Sequence, residues 1–117
     1  MPTPERPLSD DEIAARVRTL GAGWRHEGGA LRRTYHTDGW RGSMLVANAV
    51  GFICEAADHH ADLTVTWPNV EVALSTHSAG GITEKDFEVA ALIETQVTWK
   101  PPAGSNLKGP PKPLVTG

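Results

Sequence analysis

Hydrophobic and polar positions change period several times along the chain. Ile13, Val17 and Leu20 recur at helical spacing behind Ser9-Asp10-Asp11-Glu12, a capping box with acids in the first turn. Gly21 and Gly23 stop this run, so a first helix is predicted over about 10–20. Trp24–Glu27 and Ala30–Tyr35 flank Gly28-Gly29, whose freedom to take positive φ suits a two-residue hairpin turn. Helical spacing returns over Trp40–Asp58, where Leu45, Ala49, Phe52, Ala56 and His59 are expected to form the packed face. Leu63–Trp67 and Val70–Leu74 then alternate at period two around Pro68-Asn69, which predicts a second hairpin with Trp67 in the core. Thr83-Glu84-Lys85-Asp86 is a second capping sequence, and Phe87, Ala90, Ala91 and Ile93 carry a third helix to about Val97.

The predicted order is α-β-β-α-β-β-α. Two hairpins and three helices imply an α+β fold, a four-stranded antiparallel sheet with helices on one face. Residues 1–8 hold three prolines and are expected to form a flexible arm, with the folded domain over 9–100. Residues 101–117 carry five prolines and three glycines and are expected to be a disordered tail.

Composition narrows the function. A chain of 117 residues suits one domain that buries roughly two thirds of its unfolded surface, so it can fold without disulfides or a structural metal. A net charge of −3 argues against nucleic acid as a partner, and no Lys/Arg cluster suggests an anionic membrane. The longest apolar run, Met44–Cys54, is too short to span a bilayer. Cys54 is the only cysteine and reads as a buried helix residue without chemistry. The opening MPTPERPLSDDE has no apolar signal region, so a cytoplasmic location is expected.

The chemistry gathers in the second half. His59 and His60 are adjacent, which suits a helix–strand junction better than one face of a regular element. Glu55 lies one turn before His59, where it can fix that ring's tautomer. His77 ends the fourth strand and Asp86 opens the third helix, so these groups could share one mouth. Three histidines with Glu55 and Asp86 could ligate zinc in principle, yet adjacent rings aim poorly at one ion. We therefore expect no metal. His26 and His36, in or beside the first hairpin, read as structural.

Glu55, His59-His60, Trp67, His77 and Asp86, together with "VEVALSTHSAGGITEKDF" (70–87), resemble the pterin-4a-carbinolamine dehydratases. The likeness is specific over 55–87. It departs at Ala61, where the family usually has Pro, and at His36 and Trp40, where the family is often Phe-rich. The resemblance implies a lyase that removes water from 4a-hydroxytetrahydropterin, giving quinonoid dihydropterin in tetrahydrobiopterin recycling. It implies catalytic His59, His60 and His77. It also implies a pterin subsite of Asp58, His59, His60, Ser75, Thr76, His77 and Ser78, supported by Glu55, Asp86 and Trp67. No redox step occurs in that reaction, so the resemblance implies no cofactor, and histidine suits both proton transfers because its ordinary pKa lies near neutral pH. The resemblance further implies a homodimer or homotetramer. The rival reading is a relative without catalysis that serves as an assembly or transcription partner.

Overall fold

In a computed structural model that describes residues 5–117, the chain folds as α1 (Asp10–Val17), β1 (Trp24–Glu27), β2 (Ala30–His36), α2 (Trp40–Ala57), β3 (Asp62–Val65), β4 (Asn69–Leu74) and α3 (Glu84–Val97). This is the expected element order. Short 3-10 turns add Arg18–Leu20 after α1 and His77–Ala79 after β4. Ser9 and Thr83 both close capping boxes, through Glu12 and Asp86.

Four strands form one antiparallel sheet in the order β1-β2-β4-β3. The β1–β2 turn places Gly28 and Gly29 at φ of 60° and 74°, the paired positive values that only glycine adopts at little cost. Period-two alternation sorts the sheet's faces. Leu31, Tyr35, Val70, Val72 and Leu74 are buried against the helices, with Leu63 and Val65 packed at their edge. On the other face Glu71 joins Arg25 and Arg32 in a polar ladder. Half-buried Glu94 on α3 accepts hydrogen bonds from Trp24 (2.9 Å), Arg33 (3.0 Å) and Tyr35 (2.8 Å), pinning that helix to β1 and β2.

Two expectations about packing are corrected. The buried face of α2 is Gly42, Ser43, Val46, Val50 and Cys54, whereas Leu45 and Phe52 are exposed. Neighbouring helical residues are 100° apart, and α2 is apolar on two adjoining stripes, so spacing alone does not select the inner one. Trp67 lies outside the core, 65% exposed, because β3 ends at Val65 before the turn at Pro68.

The tail, residues 101–117, makes contacts with the start of α2 and the end of β2. It has no helix or strand, yet Thr37 pairs with Val115, the Thr116 N–H donates to His36 O, and the Asp38 N–H donates to Leu114 O. Val115 packs on the core. A Cβ on Gly42 would stand 2.7 Å from Leu114 O and 2.2 Å from Asp38 Oδ1, so this crossing needs glycine there. In the expected arm, residues 1–4 lie outside the described residues. Residues 5–8 are tied down: Leu8 is buried and donates its N–H to Ile82 O.

Candidate active site

The end of α2 explains the adjacent histidines. Asp58 adopts a left-handed conformation (φ 53°, ψ 44°), which aspartate tolerates better than most residues. Its N–H bonds to Glu55 O, and the His59 N–H bonds to Cys54 O, a Schellman closure. The chain leaves this turn with its two rings in different surroundings. The His59 side chain is 12% exposed and that of His60 59%.

His59 Nε2 lies 2.6 Å from Asp86 Oδ1. Asp86 is wholly buried in the first turn of α3, and its Oδ2 accepts the Thr83 N–H (2.9 Å) and the Thr76 hydroxyl (2.8 Å). A carboxylate is acceptor-only, so His59 presents Nε2–H to Asp86, and Nδ1 takes no part in that bond. The partner of His59 is thus Asp86. Glu55, expected to fix that ring, lies instead 3.2 Å from His60 Nε2, and both groups are well exposed, where such a pair contributes little.

His77 opens the 3-10 turn after β4 and is exposed. The turn is anchored on both sides: Thr76 and Gly81 exchange backbone hydrogen bonds, and the Gly80 N–H closes onto His77 O. Thr76 is buried, with its hydroxyl on Asp86 and both its backbone groups bonded to Gly81, so this residue is committed within the protein. Ser78 Oγ donates to Glu5 (2.6 Å), and Lys85 Nζ donates to the same carboxylate (2.8 Å). Those two bonds hold the Glu5 carboxyl below the usual carboxylate range, and Glu5 in turn raises Lys85. Glu5 and Lys85 thus border the site beside Ser78. Sequence reasoning missed both, because a glutamate in a Pro-rich arm and a lysine on a capped helix carry no pattern. Asp58 serves as the α2 cap, and Ser75 follows β4, half-buried.

Ala61 keeps a backbone N–H that proline lacks, and it faces the buried Cys54 thiol. Burial pushes that thiol up, and the Ala61 N–H opposes the shift. His26 and His36 are exposed and stand on the first hairpin, with His36 Nδ1 2.6 Å from Asn69 Oδ1. Trp67, expected to support the site, lies beside Gly39 at the start of α2. An apolar hollow of about 460 Å³ between α2 and α3 is lined by Ala49, Phe52, Ile53, Ala56, Leu92 and their neighbours, and by none of the histidines. Among the described residues, no three His, Cys, Asp or Glu side chains are grouped to hold a metal ion.

The helix-on-sheet α+β fold sets a buried carboxylate against one histidine and leaves two further histidines near the ends of α2 and β4, side chains of the type used in general acid–base chemistry. The chain belongs to the pterin 4 alpha carbinolamine dehydratase family, whose model matches residues 6–96. A relative from Roseiflexus sp. (strain RS-1) is 39% identical over 87 residues, 74% of this chain and 92% of the relative. One from Natronomonas pharaonis is 42% identical over 87 residues, 74% of this chain and 91% of the relative. Both carry the name "Putative pterin-4-alpha-carbinolamine dehydratase". The crystal structure of a transcriptional coactivator/pterin dehydratase from Brucella melitensis matches with a TM-score of 0.71 at 25% identity, covering 77% of this chain and 97% of that one. No described helix is long and apolar enough to cross a membrane.

Proposed function

We propose that this protein is a hydro-lyase that converts 4a-hydroxytetrahydropterin to quinonoid dihydropterin and water, serving tetrahydrobiopterin recycling in the cytoplasm. The C4a–O bond breaks as a proton is delivered to the departing hydroxyl, and the N5 proton passes to a base. Atoms balance without oxidant or reductant. The nitrogen lone pair already drives the hydroxyl out, so the protein's task is positioning and proton transfer.

The observation that carries this reading is the buried Asp86–His59 pair in a chain of this family. Asp86 accepts from Nε2 whether the ring is neutral or protonated, so the ring exchanges its proton with the substrate through Nδ1 alone. His59 and His77 are the acids at the hydroxyl, one for each face of C4a. His60, exposed at the rim, contacts and orients the pterin. Backbone groups of Ser75, His77 and Ser78 address the pyrimidine edge, with Asp58 beside them and Thr76 bonded to Gly81 between them.

Freshly generated 4a-hydroxytetrahydropterin, followed optically, tests this. The protein accelerates dehydration without added metal and in the presence of a chelator, and the histidine contribution is about 10²–10⁴ in rate. A folded protein that leaves the buffer rate unchanged would overturn the reading. A coactivator role of the kind named for the Brucella melitensis protein would then take its place.

A further inference from the structure

The structure assigns a positioning role to the Thr76 hydroxyl: it is the link that aligns Asp86, and through Asp86 the ring of His59, with the turn that carries His77. Thr76 and Thr83 are both buried, and their hydroxyl oxygens lie 2.8 Å apart. Either oxygen alone could donate. The Thr76 proton, however, is committed to Asp86 Oδ2, 2.8 Å away, because an ionised carboxylate offers no proton in return. Thr83 must therefore donate to Thr76. The Thr83 oxygen accepts in turn from the Lys85 N–H (3.3 Å). The result is a hydrogen-bond chain of one direction, from Lys85 N–H through Thr83 and Thr76 to Asp86, which His59 meets from the other side. No member is free to reverse while Asp86 stays ionised, and a fully satisfied buried network of this kind rigidifies its members.

Thr76 is the branch point. Its side chain fixes Asp86, while its backbone N–H (2.8 Å) and carbonyl (3.4 Å) clamp Gly81 and so root the His77 turn. The chain's two predicted proton donors thus share one residue that touches neither ring. Loss of the hydroxyl leaves Asp86 Oδ2 with one donor, the Thr83 N–H, and frees the carboxylate to turn from His59 Nε2. The backbone clamp on His77 remains.

This inference rests on the dehydratase reading for its kinetic arm only, and its spectroscopic arm stands without it. The protein labelled with 15N-histidine reports the His59 Nε2–H resonance and its exchange with water. In the parent we expect a downfield, slowly exchanging proton. Thr76→Val, nearly isosteric, moves that resonance upfield, speeds its exchange, and lowers kcat about 10-fold with KM changed less than about 2-fold. Thr76→Ser keeps the hydroxyl and restores the resonance and kcat to within about 2-fold of parent. Thr83→Val removes the far donor and the cap acceptor of the Lys85 N–H but leaves both donors on Asp86 Oδ2, gives a smaller change in the same direction, and keeps the test open should Thr76→Val fail to fold. A folded Thr76→Val, or in its absence a folded Thr83→Val, with parental resonance and kcat would overturn the assignment. So would a Thr76→Ser as impaired as Thr76→Val, since packing rather than the hydroxyl would then matter. A parent with no dehydratase activity but the expected resonance shifts would sink the function while leaving the positioning role intact.

Discussion

Asp86 shows how much one side chain decides. Its two oxygens have different obligations: Oδ2 must accept two donors, and Oδ1 accepts one from His59. An amide has a single accepting oxygen. In Asp86→Asn that oxygen best serves the Thr83 N–H and the Thr76 hydroxyl, which turns the NH₂ group toward His59. The ring must then accept at Nε2 and carry its proton on Nδ1, the reverse of the parent. We expect kcat to fall by about 10² or more, within the range for losing general acid–base help. The 15N shifts of His59 should show the inverted tautomer in a protein that keeps its circular dichroism. Parental kcat with an inverted tautomer would remove Nδ1 from the chemistry. The Asp86 role was visible in the sequence as a helix cap and, by resemblance, as a supporting group. That both roles fall on one carboxylate is a property of the fold. Glu55, one turn from His59, was the better partner by spacing alone, but the left-handed turn at Asp58 swings His59 inward and brings His60 toward Glu55.

At the scale of elements, local signals were strong wherever period and punctuation agreed. Both capping boxes, the Gly-Gly hairpin and the two alternating strands were legible because each depends on residues close in sequence. Packing partners were not. The choice between the two apolar stripes of α2 is made by the sheet beneath it, and the placement of Trp67 by where β3 ends. The tail follows the same rule: Pro and Gly exclude helix and sheet, but they do not exclude three backbone hydrogen bonds near the end of β2. Truncation after Pro111 would remove those bonds and the half-buried Val115. At about 1 kcal/mol per bond, less the entropy of ordering the segment, a loss of about 1–3 kcal/mol is expected in urea unfolding. A truncated chain of parental stability would show that the tail only rests on the surface.

The α3–sheet clamp adds a pH dependence. Burial raises Glu94, but hydrogen bonds from Arg33, Tyr35 and Trp24 outweigh it and hold the carboxyl below its usual value. A depressed folded-state value means stability that is present above the unfolded glutamate pKa, about 4.3, and is lost as pH falls through the lower folded value. Glu94→Gln should flatten the stability profile in that acid window. At neutral pH it should cost about 1–3 kcal/mol, since Gln offers one neutral acceptor to three donors. Stability curves for parent and variant that stay parallel between pH 5 and pH 2 would contradict this.

For the whole molecule, the surface left open by α2 and α3 is the feature that one chain does not resolve. Phe52 is 76% exposed, and Leu45, Leu92 and the hollow between the helices extend the same apolar stripe. Monomeric proteins rarely expose a contiguous patch of this kind without a partner. The sheet adds two open edges, β1 and β3. We propose a homo-oligomer, dimer or tetramer, in which the α2–α3 stripe packs against its copy. Two-fold packing is self-complementary, so a charge placed at its centre meets the same charge on the partner. Phe52→Glu should therefore dissociate the assembly while leaving the His59–Asp86 network untouched, since Phe52 points away from the buried face of α2. Light scattering is expected to give a multiple of 12.5 kDa for the parent and a smaller species for Phe52→Glu at micromolar concentration. A parent that is monomeric under those conditions would sink the proposal. An oligomer unmoved by Phe52→Glu would shift the interface to the sheet edges, where charged substitutions on β3 would be the next variants to separate the two.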